Sequence, residues 1–74
     1  MTDEEFFKKI GEKIKVQRKS LKISQKLLAQ KTNLSRSAIT RIELGEINFS
    51  MKILRKIANE LEVSESQLLS LEMS

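Results

Sequence analysis

The chain has 74 residues, of which 39% are hydrophobic and 32% charged, and it contains neither cysteine nor histidine. A chain of this length buries only about 60% of the surface that its unfolded form exposes, so we expect a single domain over residues 1–74. The missing side chains exclude disulfide bonds, most transition-metal sites and the commonest acid–base and thiol chemistry. Composition therefore favours a binding protein over an enzyme, with no metal and no cofactor.

The sequence carries no signal for a membrane or for export. No stretch approaches the roughly 20 apolar residues that span a bilayer. The N-terminus lacks the basic start, the apolar stretch and the small-residue cleavage site of a secretory signal. We therefore expect a cytoplasmic protein.

Charge is segregated along the sequence. Residues 8–41 include eleven basic residues and a single acidic one, so this stretch carries +10 in a chain whose net charge is +4. The first seven residues and residues 42–74 each carry a net charge of −3. This asymmetry predicts one half that faces a polyanion and another half with a different role. The alternative is that the lysines only solvate a helix surface.

The positions of serine and threonine predict five helices. A side-chain oxygen just before a helix accepts an otherwise unpaired backbone N–H, and an apolar residue before that cap often packs on the fourth helical residue. This arrangement occurs five times, at Thr2, Ser24, Ser35, Ser50 and Ser64. Since the chain has no proline and no β-branched alternation, it is predicted to be all-α. The predicted helices run from Asp3 to Leu21, Gln25 to Thr32, Arg36 to Leu44, Met51 to Leu61 and Glu65 to Leu71.

The second and third predicted helices are joined by a very short turn. Only three residues, Asn33 to Ser35, separate them, so the two helices must meet at a sharp angle, as in a helix-turn-helix. Ala29 supplies the small residue that a close crossing needs, and asparagine tolerates a positive φ in the turn. Gly45 is placed to end the third helix. The sequence therefore predicts a helix-turn-helix over about residues 25–44.

One face of the third helix is polar and basic. At 100° per residue, Ala38, Ile39 and Ile42 lie on the side of the core. The outer side carries Arg36, Ser37, Thr40, Arg41 and Leu44. Arginine forms bidentate hydrogen bonds with O6 and N7 of guanine, and serine and threonine serve several bases, so this face is suited to the major groove of double-stranded DNA. The alternative is an ordinary solvated face.

Taken together, these features resemble the Cro/phage-repressor type of helix-turn-helix (Xre-like) over about residues 8–71. The likeness rests on Ile23-Ser24-Gln25, Leu28-Ala29, Asn33-Leu34-Ser35-Arg36-Ser37, Ile39, Ile42-Glu43 and Gly45. Within this family the chain is most similar to the controller proteins of restriction–modification systems, which share the step seen in Asn48-Phe49-Ser50. The resemblance implies a compact, lambda-repressor-like five-helix domain that binds DNA and regulates transcription.

The resemblance also implies roles for residues at matching positions. Gln25 and Asn48 would contact DNA phosphates, and Lys26 would add a third such contact. The base-reading positions would be Arg36, Ser37, Thr40 and Arg41. Arg18 and Glu43 match a family ion pair between the first and third helices, and we expect that pair to be structural and partly buried. Leu44 departs from the polar or basic residue that relatives often carry, so we leave it out of the interface.

The acidic C-terminal part, about residues 61–74, is predicted to join two copies into a homodimer. Similar proteins dimerise there, and a two-fold DNA site is usually read by two recognition helices about 34 Å apart. Leu68, Leu69 and Leu71 exceed what a short terminal helix needs for its own docking. The alternative is that Leu68 and Leu71 only complete the core.

Three other classes of function fit the sequence less well than DNA binding. An antitoxin-type module would bind a partner protein through the C-terminal helix and DNA secondarily, but we would expect a longer tail. An enzyme lacks a site, because the serines act as caps and no base lies beside a nucleophile. Membrane-surface binding by the basic first helix conflicts with the commitment of its apolar face to the core.

Overall fold

The computed structural model describes residues 1–70, which contain five α-helices and no strand. The helices are α1 (Asp3–Ser20), α2 (Gln25–Thr32), α3 (Arg36–Leu44), α4 (Met51–Glu60) and α5 (Glu65–Leu69). The prediction of an all-α, five-helix domain is confirmed. Predicted and observed bounds of α2 and α3 agree, whereas α1, α4 and α5 end one or two residues earlier than predicted.

Each helix begins at a hydroxyl cap. The side-chain oxygens of the five predicted caps accept the backbone N–H three residues further on, over 3.0–3.2 Å. At Thr2 and Ser64 the third helical residue, Glu5 or Gln67, also accepts a bond from the backbone N–H of the cap. Because these bonds satisfy amides that have no partner inside the helix, the cap residues determine where the helices start.

Four helices are followed, within two residues, by a residue in the left-handed backbone region. These residues are Lys22, Asn33, Gly45 and Glu62, with φ of 59°, 59°, 74° and 63°. At each end the next N–H reaches back five residues, as where the Leu34 N–H donates to the Ala29 carbonyl over 3.0 Å. Asn33 and Gly45 are the residues predicted at their turns. The turns at Lys22 and Glu62 were not predicted, and there α1 and α4 end one residue earlier than predicted.

The predicted extension of α5 to Leu71 is wrong at Ser70. The backbone there is extended, with φ −72° and ψ 109°, so the helix ends at Leu69. Leu71 itself lies outside the described residues.

The core is formed by one side of every helix. Its buried residues are Ile10, Ile14, Leu28, Ala29, Ile39, Ile42, Leu54, Ile57, Ala58, Leu61 and Leu68. α3 packs against both α1 and α2, while α4 packs against α2 and α5. Phe7 stacks edge-on against both Phe6 and Phe49, which fastens the segment before α4 to the start of α1. This packing holds α3 by one side and leaves its other side open.

α1 and α3 approach each other closely at Gly11, which is buried. A Cβ atom at this position would collide with the backbone carbonyl oxygens of Ile42 and Glu43, the latter at 2.6 Å. The crossing therefore requires a residue without a side chain. The sequence did not predict this role of Gly11.

Within residues 1–70, no helix is both long enough and apolar enough to cross a membrane.

Candidate nucleic-acid interface

The outer face of α3 consists of exposed polar and basic side chains. Ile39 and Ile42, exposed by 0% and 2%, attach the opposite face to the core. Of the predicted base-reading residues, Arg36, Ser37 and Arg41 are exposed and Thr40 is half-buried. In the described part of the chain, the side chains of the three exposed residues form no hydrogen bond or ion pair, so they are available to a ligand.

Arg18 and Glu43 form a buried ion pair between α1 and α3. The arginine Nε donates to Oε2 over 2.7 Å and its Nη2 donates to Oε1 over 3.1 Å. Its Nη1 donates to the Ile23 carbonyl over 2.9 Å, which also ties down the segment before α2. The two side chains are only 9% and 2% exposed. The pair is thus more deeply buried than expected from the sequence, and its position inside the fold gives it a structural role.

Gln25 connects this ion pair to the outer face of α3. Its Nε2 donates to Glu43 Oε1 over 3.0 Å, and its Oε1 accepts the Thr40 hydroxyl over 2.9 Å. The same hydroxyl lies 3.0 Å from the Arg36 carbonyl. Sequence reasoning placed Gln25 among phosphate contacts and missed these bonds, because the partners lie 15 and 18 residues away in the chain.

The N-terminus of α2 presents backbone N–H groups beside a lysine. The Ser24 hydroxyl accepts the Leu27 N–H, while the N–H groups of Gln25 and Lys26 fall in the first turn, where helix geometry provides no acceptor. The helix dipole places partial positive charge at the same end. Lys26 is exposed and adds a full charge. This end of α2 is therefore suited to an anion such as a DNA phosphate.

Asn48 is exposed in the segment between α3 and α4. It lines an open depression together with Leu44 at the end of α3. Asp3, Glu4, Glu46 and Lys8 line the same depression, so three carboxylates and one ammonium group lie near a phosphate at that place. Local charge therefore weighs against the phosphate contact predicted for Asn48.

Two lysines that were not predicted as site residues lie beside the C-terminal end of α3. Lys8 and Lys9 of α1 are exposed and line an open depression together with Leu44. They place positive charge next to Leu44, in a depression that Glu12 also lines. Their only sequence signal was that the basic stretch begins at Lys8.

The structure places Leu68, a predicted dimer-interface residue, in the core of its own chain. Its side chain is 3% exposed and belongs to the core, so it packs inside its own chain and leaves little surface for a second copy. Leu69 is half-buried and packs against the edge of the core. Leu71, the third predicted interface residue, lies outside the described residues.

The side chains of this face are hydrogen-bond donors and acceptors and carry positive charge. The part of the chain that the structure describes contains no group of three or more His, Cys, Asp or Glu that could hold a metal ion. Guanidinium, hydroxyl and ammonium groups instead offer hydrogen bonds to base edges and charge to phosphates.

Comparisons with known proteins agree with this arrangement. The chain matches the HTH_3 (Helix-turn-helix) family over residues 14–68. It is 39% identical over 59 residues to the immunity repressor protein of Bacillus phage phi105, covering 80% of this chain and 41% of the repressor. The chain therefore spans about two fifths of the length of that relative.

Two solved structures share the fold closely. The restriction-modification controller protein C.AhdI from Aeromonas hydrophila is 26% identical, with a TM-score of 0.86, and the match covers 92% of this chain and 99% of the controller. An HTH_3 family transcriptional regulator from Vibrio cholerae is 37% identical, with a TM-score of 0.83, over 90% of this chain and 38% of that protein. On its sequence match and its fold, this chain belongs to the HTH_3 family of helix-turn-helix proteins.

Proposed function

We propose that the chain is a sequence-specific DNA-binding regulator of transcription that inserts α3 into the major groove. The observation that carries this proposal is the outer face of α3, on which Arg36, Ser37 and Arg41 are exposed and unengaged within residues 1–70. The family match and the names of similar proteins, a phage immunity repressor and a restriction–modification controller, support the same function. Such a regulator acts in the cytoplasm and catalyses no reaction.

Each side chain of the interface has a role that suits its chemistry. Arg36 and Arg41 read guanine edges with bidentate hydrogen bonds, and Ser37 and Thr40 read neighbouring bases. The N-terminus of α2, with Gln25 and Lys26, binds a backbone phosphate and sets the register of α3 in the groove. Since Asn48 lines a depression with three carboxylates and one lysine, we expect it to contribute least.

The proposed DNA-binding form is a homodimer on a two-fold operator. One copy of α3 reads only a few base pairs, and two copies one helical turn apart double the contacts. The C-terminal part supplies the interface, with Leu69 as the partly exposed apolar residue of α5. The structural match to a restriction–modification controller, with a TM-score of 0.86, favours control of a restriction–modification gene pair as the biological setting.

The experiment that tests this function compares one arginine variant and one lysine variant in their binding to a selected DNA sequence. An operator is first isolated from random duplexes with the wild-type chain. Arg36→Ala is expected to lose about 1–3 kcal/mol of binding free energy on that operator and to relax base preference. Lys26→Ala, the matched control, is expected to weaken cognate and random DNA alike and to reduce the salt slope by about one.

One result would contradict the proposal, and a second would remove one part of it. Random duplexes from which no sequence is enriched would rule out sequence-specific binding altogether. Equal losses on cognate and random DNA for Arg36→Ala would instead remove only the base-reading role of that residue.

A further inference from the structure

We propose that Thr40 reads DNA only as a hydrogen-bond acceptor, and that Gln25 is the positioning residue that imposes this. The inference rests on the proposed function and deepens it. It predicts that the base facing Thr40 carries an exocyclic amino group, N6 of adenine or N4 of cytosine.

The orientation of the Gln25 amide follows from the chemistry of its neighbours. The Glu43 carboxylate, paired with the Arg18 guanidinium, can only accept hydrogen bonds. The amide nitrogen of Gln25 must therefore face Glu43, at 3.0 Å, and the amide oxygen must face Thr40. The buried ion pair thus determines which end of the half-buried Gln25 amide faces Thr40.

The hydroxyl hydrogen of Thr40 is consequently directed into the protein. Its two neighbours, the Gln25 Oε1 at 2.9 Å and the Arg36 carbonyl oxygen at 3.0 Å, are both acceptors. A hydroxyl has one hydrogen and two lone pairs, and the Arg36 carbonyl already accepts the backbone N–H of Thr40 inside α3, so Gln25 Oε1 is the neighbour that holds the hydrogen within the protein. What remains for DNA is the acceptor capacity of the oxygen.

An acceptor discriminates among bases in the major groove. Adenine and cytosine present amino donors there, whereas guanine O6 and thymine O4 are acceptors that would face the lone pairs of Thr40. A freely rotating threonine hydroxyl could serve either kind of base. The contact with Gln25 converts a tolerant side chain into a selective one.

Gln25 keeps its phosphate role alongside this one. Its amide nitrogen carries two hydrogens, and one of them suffices for Glu43. The other amide hydrogen and the backbone N–H remain for a phosphate. Loss of Gln25 should therefore lower affinity for all sequences and, separately, weaken discrimination at one position. Only the second effect reports on Thr40.

The test measures discrimination ratios with the full chain on its selected operator. The position read by Thr40 is located as the one where Thr40→Val, which removes the hydroxyl but keeps the shape, changes base preference. At that position wild type should prefer adenine or cytosine. Replacing the base by purine or 2-pyrimidinone, which lack the amino group, should cost roughly five- to tenfold in affinity. Thr40→Val should show no such cost, and Thr40→Ser should retain it.

Gln25→Met tests the positioning role, with circular dichroism to confirm that it folds. Its ratio of amino-base to keto-base affinity should fall to within about twofold, even where its affinity for all DNA is lower. A preference for guanine or thymine at the Thr40 position overturns the proposal. So does a loss in Thr40→Ser equal to that in Thr40→Val, which would indicate contact through the methyl group.

The two remaining outcomes separate this inference from the proposed function. Full discrimination retained by Gln25→Met overturns the positioning role while leaving DNA recognition by α3 intact. A wild-type chain that selects no sequence overturns the proposed function, and this inference with it.

Discussion

Glu43 is the buried carboxylate on which the polar interior of the molecule depends. It accepts two hydrogen bonds from Arg18 and one from Gln25, and its side chain is 2% exposed. Removing a carboxylate from water costs several kcal/mol, which the surrounding donors must offset. No buried side-chain nitrogen or oxygen in residues 1–70 lacks a hydrogen-bond partner. The loss of either donor residue, Arg18 or Gln25, therefore leaves the buried Glu43 carboxylate with fewer hydrogen bonds to offset the cost of its burial.

Replacing the buried arginine should destabilise the fold strongly. Arg18→Ala removes three hydrogen bonds and leaves Glu43 charged and unpaired, so we expect a loss of about 3–5 kcal/mol in the free energy of unfolding. The control is Arg55→Ala, which breaks the exposed pair with Glu65, where the arginine side chain is 72% exposed. That change should cost less than about 1 kcal/mol. Urea denaturation measures both, and similar losses would show that the buried pair has no special role.

The left-handed lysine at the end of α1 is a site for stabilisation. A non-glycine residue with φ of 59° carries a strain of about 1–2 kcal/mol, which glycine avoids at a smaller entropic cost. Lys22→Gly should therefore raise stability by about 0.5–1 kcal/mol. Lys9→Gly, an exposed position inside α1, should lower it by about 1 kcal/mol. Thermal melts that move in the same direction for both variants would contradict the role of the backbone.

At the scale of elements, the crossing of α1 over α3 depends on Gly11. Helix propensity alone would favour alanine there by about 0.5–1 kcal/mol. The carbonyl oxygens of α3 occupy the space of a Cβ, so Gly11→Ala must push the two helices apart or distort them. We expect a loss of about 2 kcal/mol or more in the free energy of unfolding. An unchanged or raised melting temperature would mean that the crossing adjusts freely.

Features that depend on neighbours in the chain could be predicted from the sequence. The caps at Thr2 and Ser24 and the left-handed turn at Asn33 are local, because the side chain and the backbone it serves lie within a few residues. Residues buried on α3, such as Ile39, follow from helical periodicity. These signals were enough to predict five helices and the bounds of α2 and α3.

Features that depend on contacts between elements could not be predicted. Lys22 is exposed and lies in the left-handed region between Leu21 and Ile23, which pack against the core, although lysine is not a residue type that signals such a turn. Gly11 carries no mark that distinguishes it from a glycine on a helix surface. The bonds of Gln25 to α3 form only once α2 and α3 have crossed. Spacing could suggest that a residue faces the DNA side, but not that its side chain is already engaged.

At the scale of the whole molecule, residues 8–41 are strongly basic and residues 42–74 are acidic. The basic stretch extends from Lys8 to Arg41 and includes both helices of the helix-turn-helix. The acidic residues after α3 carry a charge that DNA repels, which favours an orientation with α2 and α3 toward the duplex. In the proposed dimer, α5 then belongs to the half of the chain that DNA repels.

The proposed dimer makes a prediction about one leucine. Leu69→Lys places charge at the half-buried apolar position of α5, and we expect it to weaken self-association at least tenfold by desolvation cost. Leu27→Lys, the same substitution at a leucine of α2 that is 37% exposed, should leave self-association unchanged. Sedimentation velocity measures both. A wild-type chain that is monomeric at tens of micromolar would argue against the dimer.

Because three side chains on the outer face of α3 have no partner within residues 1–70, we expect that the DNA sequence bound by the protein can be changed by substitution. Arg36, Ser37 and Arg41 are exposed, so replacing them should leave folding intact. Thr40 differs, because Gln25 and Glu43 tie it to the interior. A library would randomise the three exposed positions and leave Thr40, Gln25 and Glu43 unchanged. We expect its members to bind new operators in which the base read by Thr40 stays the same in each half-site.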